Sequence, residues 1–263
     1  MAETKTVVVS AALALSSMVA SGASAHGDGP ACQGLPGWGS LRWALTTALN
    51  GPVGGFSLNM WATLVDRDGI VCQVAFTGNE RGDQWPGSRV ISAQKANTAN
   101  AFSLPGLALS TANLYSAVQP GGSLYGLQHS NPVDTQNAYR LPSKNYGTAS
   151  DPLRGFKIGG VNVFGGGLAL YNSSGKLVGA IGVSGDTSCE DHMVAWRARQ
   201  ALQLDYVPGG VSGDPNRPDN IVYDITPASS YTVIGKSKSG WGHPECVNTA
   251  PPSSLPAVRK PAS

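Results

Sequence analysis

Charge is scarce in this chain: Asp, Glu, Lys and Arg together make up 13% of 263 residues, and their near balance leaves a formal net charge of +2. Such a composition offers no basic stripe and no basic amphipathic helix, so neither nucleic acid nor a membrane surface is indicated as a partner. Beyond residue 25 no apolar run approaches the ~20 residues that span a bilayer. Repeats of solenoid length are absent. So are the Gly-x-Ser-x-Gly elbow, the Walker loop and the HExxH helix, and Ser184 in Val-Ser-Gly lacks an elbow's second glycine. Cysteine occurs four times and never at the short Cys-x-x-Cys spacing of zinc sites, which disfavours zinc.

What is present begins with an export signal. Lys5 gives a basic start, residues 7–20 an apolar core and Ala23-Ser24-Ala25 a cleavage site, so residues 1–25 read as a signal peptide and the mature chain starts at His26. A secreted or periplasmic protein follows. An even number of cysteines in an exported chain favours disulfides, with three pairings open. Cys32–Cys72 with Cys189–Cys246 is the preferred set, because each bridge then pins a terminal extension to the body. Residues 26–204 read as one domain with a long inserted loop at 104–157, residues 205–249 as a disulfide-tethered extension, and residues 250–263 as a disordered tail.

Helices and hairpins alternate along the body. Ser40 can cap a helix over 41–49, with Leu41, Leu45 and Ala48 on one face. Residues 58–65 and 70–76 alternate apolar and polar positions around Asp66-Arg67-Asp68-Gly69, a hairpin turn. A polar loop holding Glu80, Arg81, Asp83 and Trp85 precedes a helix over 88–102. A short helix is expected over 110–118, and a last one over 187–202, capped by Asp186 or Ser188 with Glu190 and Asp191 in its first turn. One further strand is expected at 221–225. Residues 119–157 lack periodicity, which in a compact domain suggests a functional loop or an oligomer contact.

The glycine-punctuated stretch 159–185 forms a second hairpin. Residues 168–171 and 176–183 are apolar or β-branched around Asn172-Ser173-Ser174-Gly175. Just before it, Gly165-Gly166-Gly167 has no side chains, so a carboxylate or another backbone can approach its amides closely; a tight strand entry is the preferred reading and a ligand site the alternative.

Residues 86–103, PGSRVISAQKANTANAFS, carry Gly87, Ser88, Ala93, Lys95, Ala96, Thr98, Ala99 and Phe102, and residues 65–76 carry Val-Asp-x-x-Gly. Together with FGGGLALYNSSGKLVGAIGVSGD they resemble the GlcG/HbpS family of haem-binding proteins, from about residue 41 to 202. The resemblance implies an α/β (α+β) fold, an antiparallel β-sheet flanked by helices, with haem as cofactor, haem-degrading or redox activity in some members, and assembly into a homo-oligomer. Departures from the family pattern are the long connection at 104–157 and both cysteine-bearing extensions.

Haem iron accepts His, Met, Cys thiolate or Tyr, and propionates seek cations, hydroxyls or amides. On the 88–102 helix, Ile91, Lys95, Thr98 and Phe102 share one stripe that suits an amphipathic ligand; alternatively Ile91 and Phe102 are core, Lys95 snorkels or finds a buried partner, and Thr98 bonds back to a carbonyl. Lys95, Arg89 and the Gly165, Gly166 and Gly167 amides are the candidate propionate holders. His129, in the long loop, is the candidate iron ligand, set against a solvated loop histidine. His26 reads as part of a disordered end, His192 as a surface residue and His243 as packing near Cys246. Glu80, Arg81 and Asp83 form either a solvated loop or an iron-capturing or oligomer-contact patch. A small carboxylated metabolite, held by the same cleft without haem, is the alternative ligand. The cleft is expected where the glycine loop faces Lys95 and Thr98, with residues 119–157 as its lid.

Overall fold

The computed structural model of the chain describes residues 31–52, 54–226 and 235–262. The expected signal peptide and His26 lie outside these residues. Four strands form one antiparallel sheet in the order β2-β1-β4-β3, with β1 Trp61–Asp66, β2 Val71–Phe76, β3 Gly167–Tyr171 and β4 Leu177–Ser184. Both hairpins expected from the turn chemistry are present, and pairing of β1 with β4 joins them. Alternation along β1 does not mark a wet face, because every one of its residues is buried. Helices cover both sides of the sheet.

Helix α1, Trp38–Leu49, buries Leu41, Ala44, Leu45 and Ala48, the i, i+3, i+4, i+7 stripe of an amphipathic helix. It begins two residues before Ser40, behind Gly37, without a side-chain cap. α1 shares one core with Met60, Leu64, Leu168, Ile181 and Trp196. Helix α2, Ser88–Phe102, covers the opposite face with Val90, Ala93, Ala96 and Ala99 against Trp61, Val65 and Val74. Its alanines face a row of small residues on the sheet. Gly167 pairs with Gly182, and Gly182 with Thr63. A Cβ on Gly182 would lie 1.9 Å from the Ser92 carbonyl oxygen, and one on Gly167 would lie 2.5 Å from that of Lys95. The glycines let the helix backbone rest directly on the strands.

Between α2 and β3 the expected helix over 110–118 is instead two 3-10 turns, Thr111–Leu114 and Ser116–Val118, the first closed by a Ser110–Asn113 capping box. Short helices α3, Leu127–Ser130, and α4, Thr135–Ala138, follow. Helix α5, Ser188–Ala201, is capped by Thr187 rather than Asp186 or Ser188: the Thr187 hydroxyl accepts from the Glu190 amide at 3.3 Å. Asp186 instead accepts the Phe56 and Leu58 amides at 3.0 Å, fastening the strand entry.

Two disulfides, Cys32–Cys72 and Cys189–Cys246, tie both extensions to the body. In the C-terminal extension the expected strand shrinks to a two-residue pair, β5 Ile225–Thr226 with β6 Lys236–Ser237. The described part of the tail, expected to be disordered, is packed instead. Leu255 and Val258 are 1% and 5% exposed and belong to the main core. The Pro256 carbonyl accepts from the Trp196 indole at 3.0 Å, and the Ala262 amide donates to Ser173 at 2.9 Å. Its polar composition conceals two apolar anchors, and that is enough to order a short segment against a core that leaves room for them.

Candidate functional site

The structure brings Lys95 and the glycine loop together, but as a closed interior. Lys95 is 2% exposed and its Nζ donates to Asp191 Oδ2 at 2.6 Å and to the Val183 carbonyl at 3.2 Å. Burial pushes the Asp191 carboxyl up to about 6 against the pull of Lys95. Gly166 has φ of 119°, and a Cβ there would sit 2.4 Å from the Val183 carbonyl oxygen and 3.1 Å from Lys95 Nζ. The Gly165 amide donates to His243 Nε2 at 3.4 Å and the Gly167 amide to Thr111 Oγ1 at 2.8 Å. Thr98 donates back to the Gln94 carbonyl at 2.8 Å and accepts from the Asn162 amide at 2.9 Å. Phe102 is half-buried against Leu109 and Val163. No ligand reaches these groups without displacing their partners, so the cleft expected between Lys95, Thr98 and the glycine loop is filled by the protein itself.

The histidines fall differently from expectation. His129 is exposed on α3. Among the described residues the one cluster with metal-ligand spacing is Cys32, Asp66 and Cys72, which does not include His129. Its sulfurs are joined in a disulfide and its carboxylate accepts the Cys32, Asp68 and Ile70 amides, so it is structural. His192, expected at the surface, is fully buried; Nε2 accepts from the Ile221 amide at 3.2 Å and Nδ1 has no partner. Burial lowers its pKa to about 3, and that of buried His243 to about 4. His243 uses both ring nitrogens, on Pro244 and Gly165, and packs its ring on Tyr115 at 5.1 Å. Both are neutral core residues.

A cavity of about 420 Å³ opens instead beside the entry to α2, lined by Trp61, Glu80, Arg81, Pro86, Tyr139 and Tyr146. Trp61 opens β1 on the α2 side, is 1% exposed and packs on Phe76 at 5.1 Å between ring centroids. Its indole Nε1 is buried without a hydrogen-bond partner. Leaving such a donor unpaired costs about 1–3 kcal/mol. Arg89, expected to hold a propionate, is buried behind Tyr146 of the cavity lining instead. Its guanidinium makes two bonds to Asp151, at 2.9 and 2.5 Å, donates to the Ala138 carbonyl at 2.9 Å and lies 3.6 Å over the Tyr146 ring. The Tyr146 hydroxyl donates to the Arg140 carbonyl at 3.3 Å.

The rim is the polar loop before α2. Asp83 accepts the Asn79 and Glu80 amides at 2.8 and 3.0 Å, which lowers its pKa and sets the loop's course. Arg81 is exposed and, among the described residues, has no partner for its guanidinium. Tyr139 is 61% exposed and Trp85, next to Pro86, 53%. An apolar aromatic slot with a free cation suits a flat, largely apolar molecule that carries carboxylates. Sequence patterning marks Arg81, with Glu80 and Asp83, as a solvated loop or an iron-capturing or oligomer-contact patch and gives no sign of Trp61 or Tyr139, since a cavity assembled from β1, the pre-α2 loop and the inserted loop has no contiguous motif.

The sequence model of the HbpS-like family, described as haem degrading protein HbpS-like, matches residues 57–200, more than half of the 263. No curated protein matches the chain. Among solved structures, a PduOC:heme complex is 24% identical with a TM-score of 0.43, covering 62% of this chain and 89% of its own. The Klebsiella pneumoniae protein ORFY, of family DUF336, is 25% identical with a TM-score of 0.42, covering 62% and 86%. HbpS is 17% identical with a TM-score of 0.37, covering 64% and 89%. The sheet, the helix lying on its glycine row and the aromatic cavity all fall within the matched segment, and the chain belongs to the HbpS-like family.

Proposed function

We propose that this protein binds haem in the Trp61 cavity. The observation that carries the reading is the apolar aromatic slot with exposed Arg81 on its lining, inside the family-matched segment. Trp61, Pro86 and Tyr146 would supply the apolar contact. Arg81 would receive a propionate oxygen, replacing Lys95, Arg89 and the glycine amides in that role. Tyr139 is the iron-donor candidate in place of His129: it lines the cavity and its hydroxyl has no partner among the described residues. Of the side-chain types that haem iron accepts, the described lining of the cavity offers the phenols Tyr139 and Tyr146, which supports a phenolic donor. When bound, the iron would supply redox chemistry, and haem degradation would be read as ascorbate- or peroxide-driven loss of the Soret band.

Export is part of the same proposal. Two disulfides persist in an oxidising compartment, and among the described residues no helix is long and apolar enough to cross a membrane. Assembly into a homo-oligomer also remains a proposal, and exposed Trp85 and Tyr139 at the cavity mouth are where a second copy would enclose the ligand further. Hemin titration of the purified protein tests the binding: a saturable Soret shift supports it, and a linear, non-saturating rise in absorbance removes it.

A further inference from the structure

A second cavity, of about 650 Å³, lies between the 3-10 segment after Ser110 and the C-terminal extension. Half of its wall, including Lys236, Ser237 and Trp241, lies beyond the family-matched residues. The wall is held firmly. The Ser116 hydroxyl donates to the Gly242 carbonyl at 2.6 Å, the His243 amide to the Val222 carbonyl at 2.8 Å, and Cys246 is bonded to Cys189. Ser237 is spent internally, donating to Asp224 at 2.6 Å and accepting the Gly240 and Gly242 amides at 2.9 Å.

Other groups on the wall are left for a ligand. The Tyr115 and Ser123 hydroxyls, the Trp241 indole N–H and the Lys236 ammonium have no hydrogen-bond or ion-pair partner among the described residues. Among the described residues of the wall, two aromatic rings thus stand among hydroxyls and glycine backbone, with one cation and no carboxylate. A metal ion finds no anionic oxygen there. A porphyrin would cover hydroxyls and amides it cannot pair, at a cost of roughly 1–3 kcal/mol each. Nucleic acid would ask for several cations where there is one.

We infer that this cavity binds a uronic-acid saccharide. A pyranose presents a face of C–H groups that carry partial positive charge and fit the electron-rich face of Trp241 or Tyr115, while its hydroxyls both donate and accept at the rim. Lys236 then selects a sugar carboxylate over a neutral hydroxymethyl group. The site is separate from the haem cavity and does not depend on it.

Isothermal titration with trigalacturonate, and with galactotriose as the neutral counterpart, tests this on the full chain. Saturable binding is expected for the acidic trisaccharide, and Trp241→Ala should abolish it while leaving hemin titration unchanged. Lys236→Gln should weaken the acidic ligand about tenfold and bring it level with the neutral one. If Trp241→Ala does not fold by circular dichroism, Trp241→Phe and Ser123→Ala carry the same test, each with a reduced affinity expected. No saturable heat up to about 10 mM of either sugar, or wild-type affinity in the Trp241 and Lys236 variants, overturns the inference.

Discussion

Gly167 and Gly182 sit opposite each other on neighbouring strands, and helix α2 lies with its backbone directly on the pair. The room is that of a hydrogen atom, because a methyl group on Gly182 would come within 1.9 Å of the Ser92 carbonyl oxygen. Gly182→Ala should therefore push α2 off the sheet and cost more than about 3 kcal/mol, well beyond an ordinary surface substitution. Urea denaturation reads this as a large fall in midpoint; a shift of less than about 0.5 kcal/mol would mean that the helix has slack.

Lys95 and Asp191 form a buried ion pair, each about 2–3% exposed at the side chain. Removing one partner strands the other charge, so Lys95→Met should cost about 3–5 kcal/mol, and Lys95→Met with Asp191→Leu should recover much of it. A double variant no more stable than the single one counts against that assignment. Because the lysine is structural, the folded fraction of Lys95→Met should still bind hemin.

Acidification should loosen the protein between pH 7 and 5. The unfolded chain protonates His192 and His243 near 6.5, whereas the folded chain holds them neutral down to about 3 and 4. The unfolded state then binds more protons, and each histidine removes about 2 kcal/mol of stability by pH 5. Asp191 works the other way: its folded value of about 6 exceeds its unfolded one, so below pH 6 the folded state takes up that proton first and regains about 1 kcal/mol. The net expectation is a lower urea midpoint at pH 5 than at pH 7, with a flatter response in His243→Phe. An unchanged or higher midpoint at pH 5 would show that the histidines are not held neutral.

Reduction should separate the two extensions from the body. The bridges close loops of 40 and 57 residues, for which chain-entropy arguments give about 4 kcal/mol each. Dithiothreitol should lower the thermal midpoint by many degrees, and Cys189→Ser with Cys246→Ser should lose saccharide binding through the Trp241 wall before it loses hemin binding. Equal midpoints with and without reductant would deny the bridges a stabilising role.

The hairpins, α2 and α5 were legible because turn chemistry and helical spacing act over a few residues. The disulfide pairing followed from the need to anchor two extensions. Lys95, with Ala96 and Ala99 nearby, was readable as a lysine in want of a partner, but Asp191 lies far along the chain and nothing local names it. The glycine loop allows two readings from sequence, amides open to a ligand and a tight strand entry, and the second holds. Its glycines serve close backbone contact, and two of its amides are taken by His243 and Thr111, partners that only the tertiary fold supplies. Trp61 looked like any strand aromatic, since an unpaired indole is a property of what surrounds it. The tail was misjudged for a related reason: two apolar side chains among prolines and serines are too few to register as a pattern, yet sufficient to dock.

Hemin titration of wild type, Tyr139→Phe, Arg81→Gln and His129→Ala, followed through the Soret band, bears most directly on the haem site. Wild type and His129→Ala should saturate alike, Arg81→Gln should bind about tenfold more weakly, and Tyr139→Phe should move the Soret maximum by removing the phenolic donor. A wild type without a saturable Soret shift, or a band lost in His129→Ala and untouched in Tyr139→Phe and Arg81→Gln, would place haem elsewhere than the Trp61 cavity.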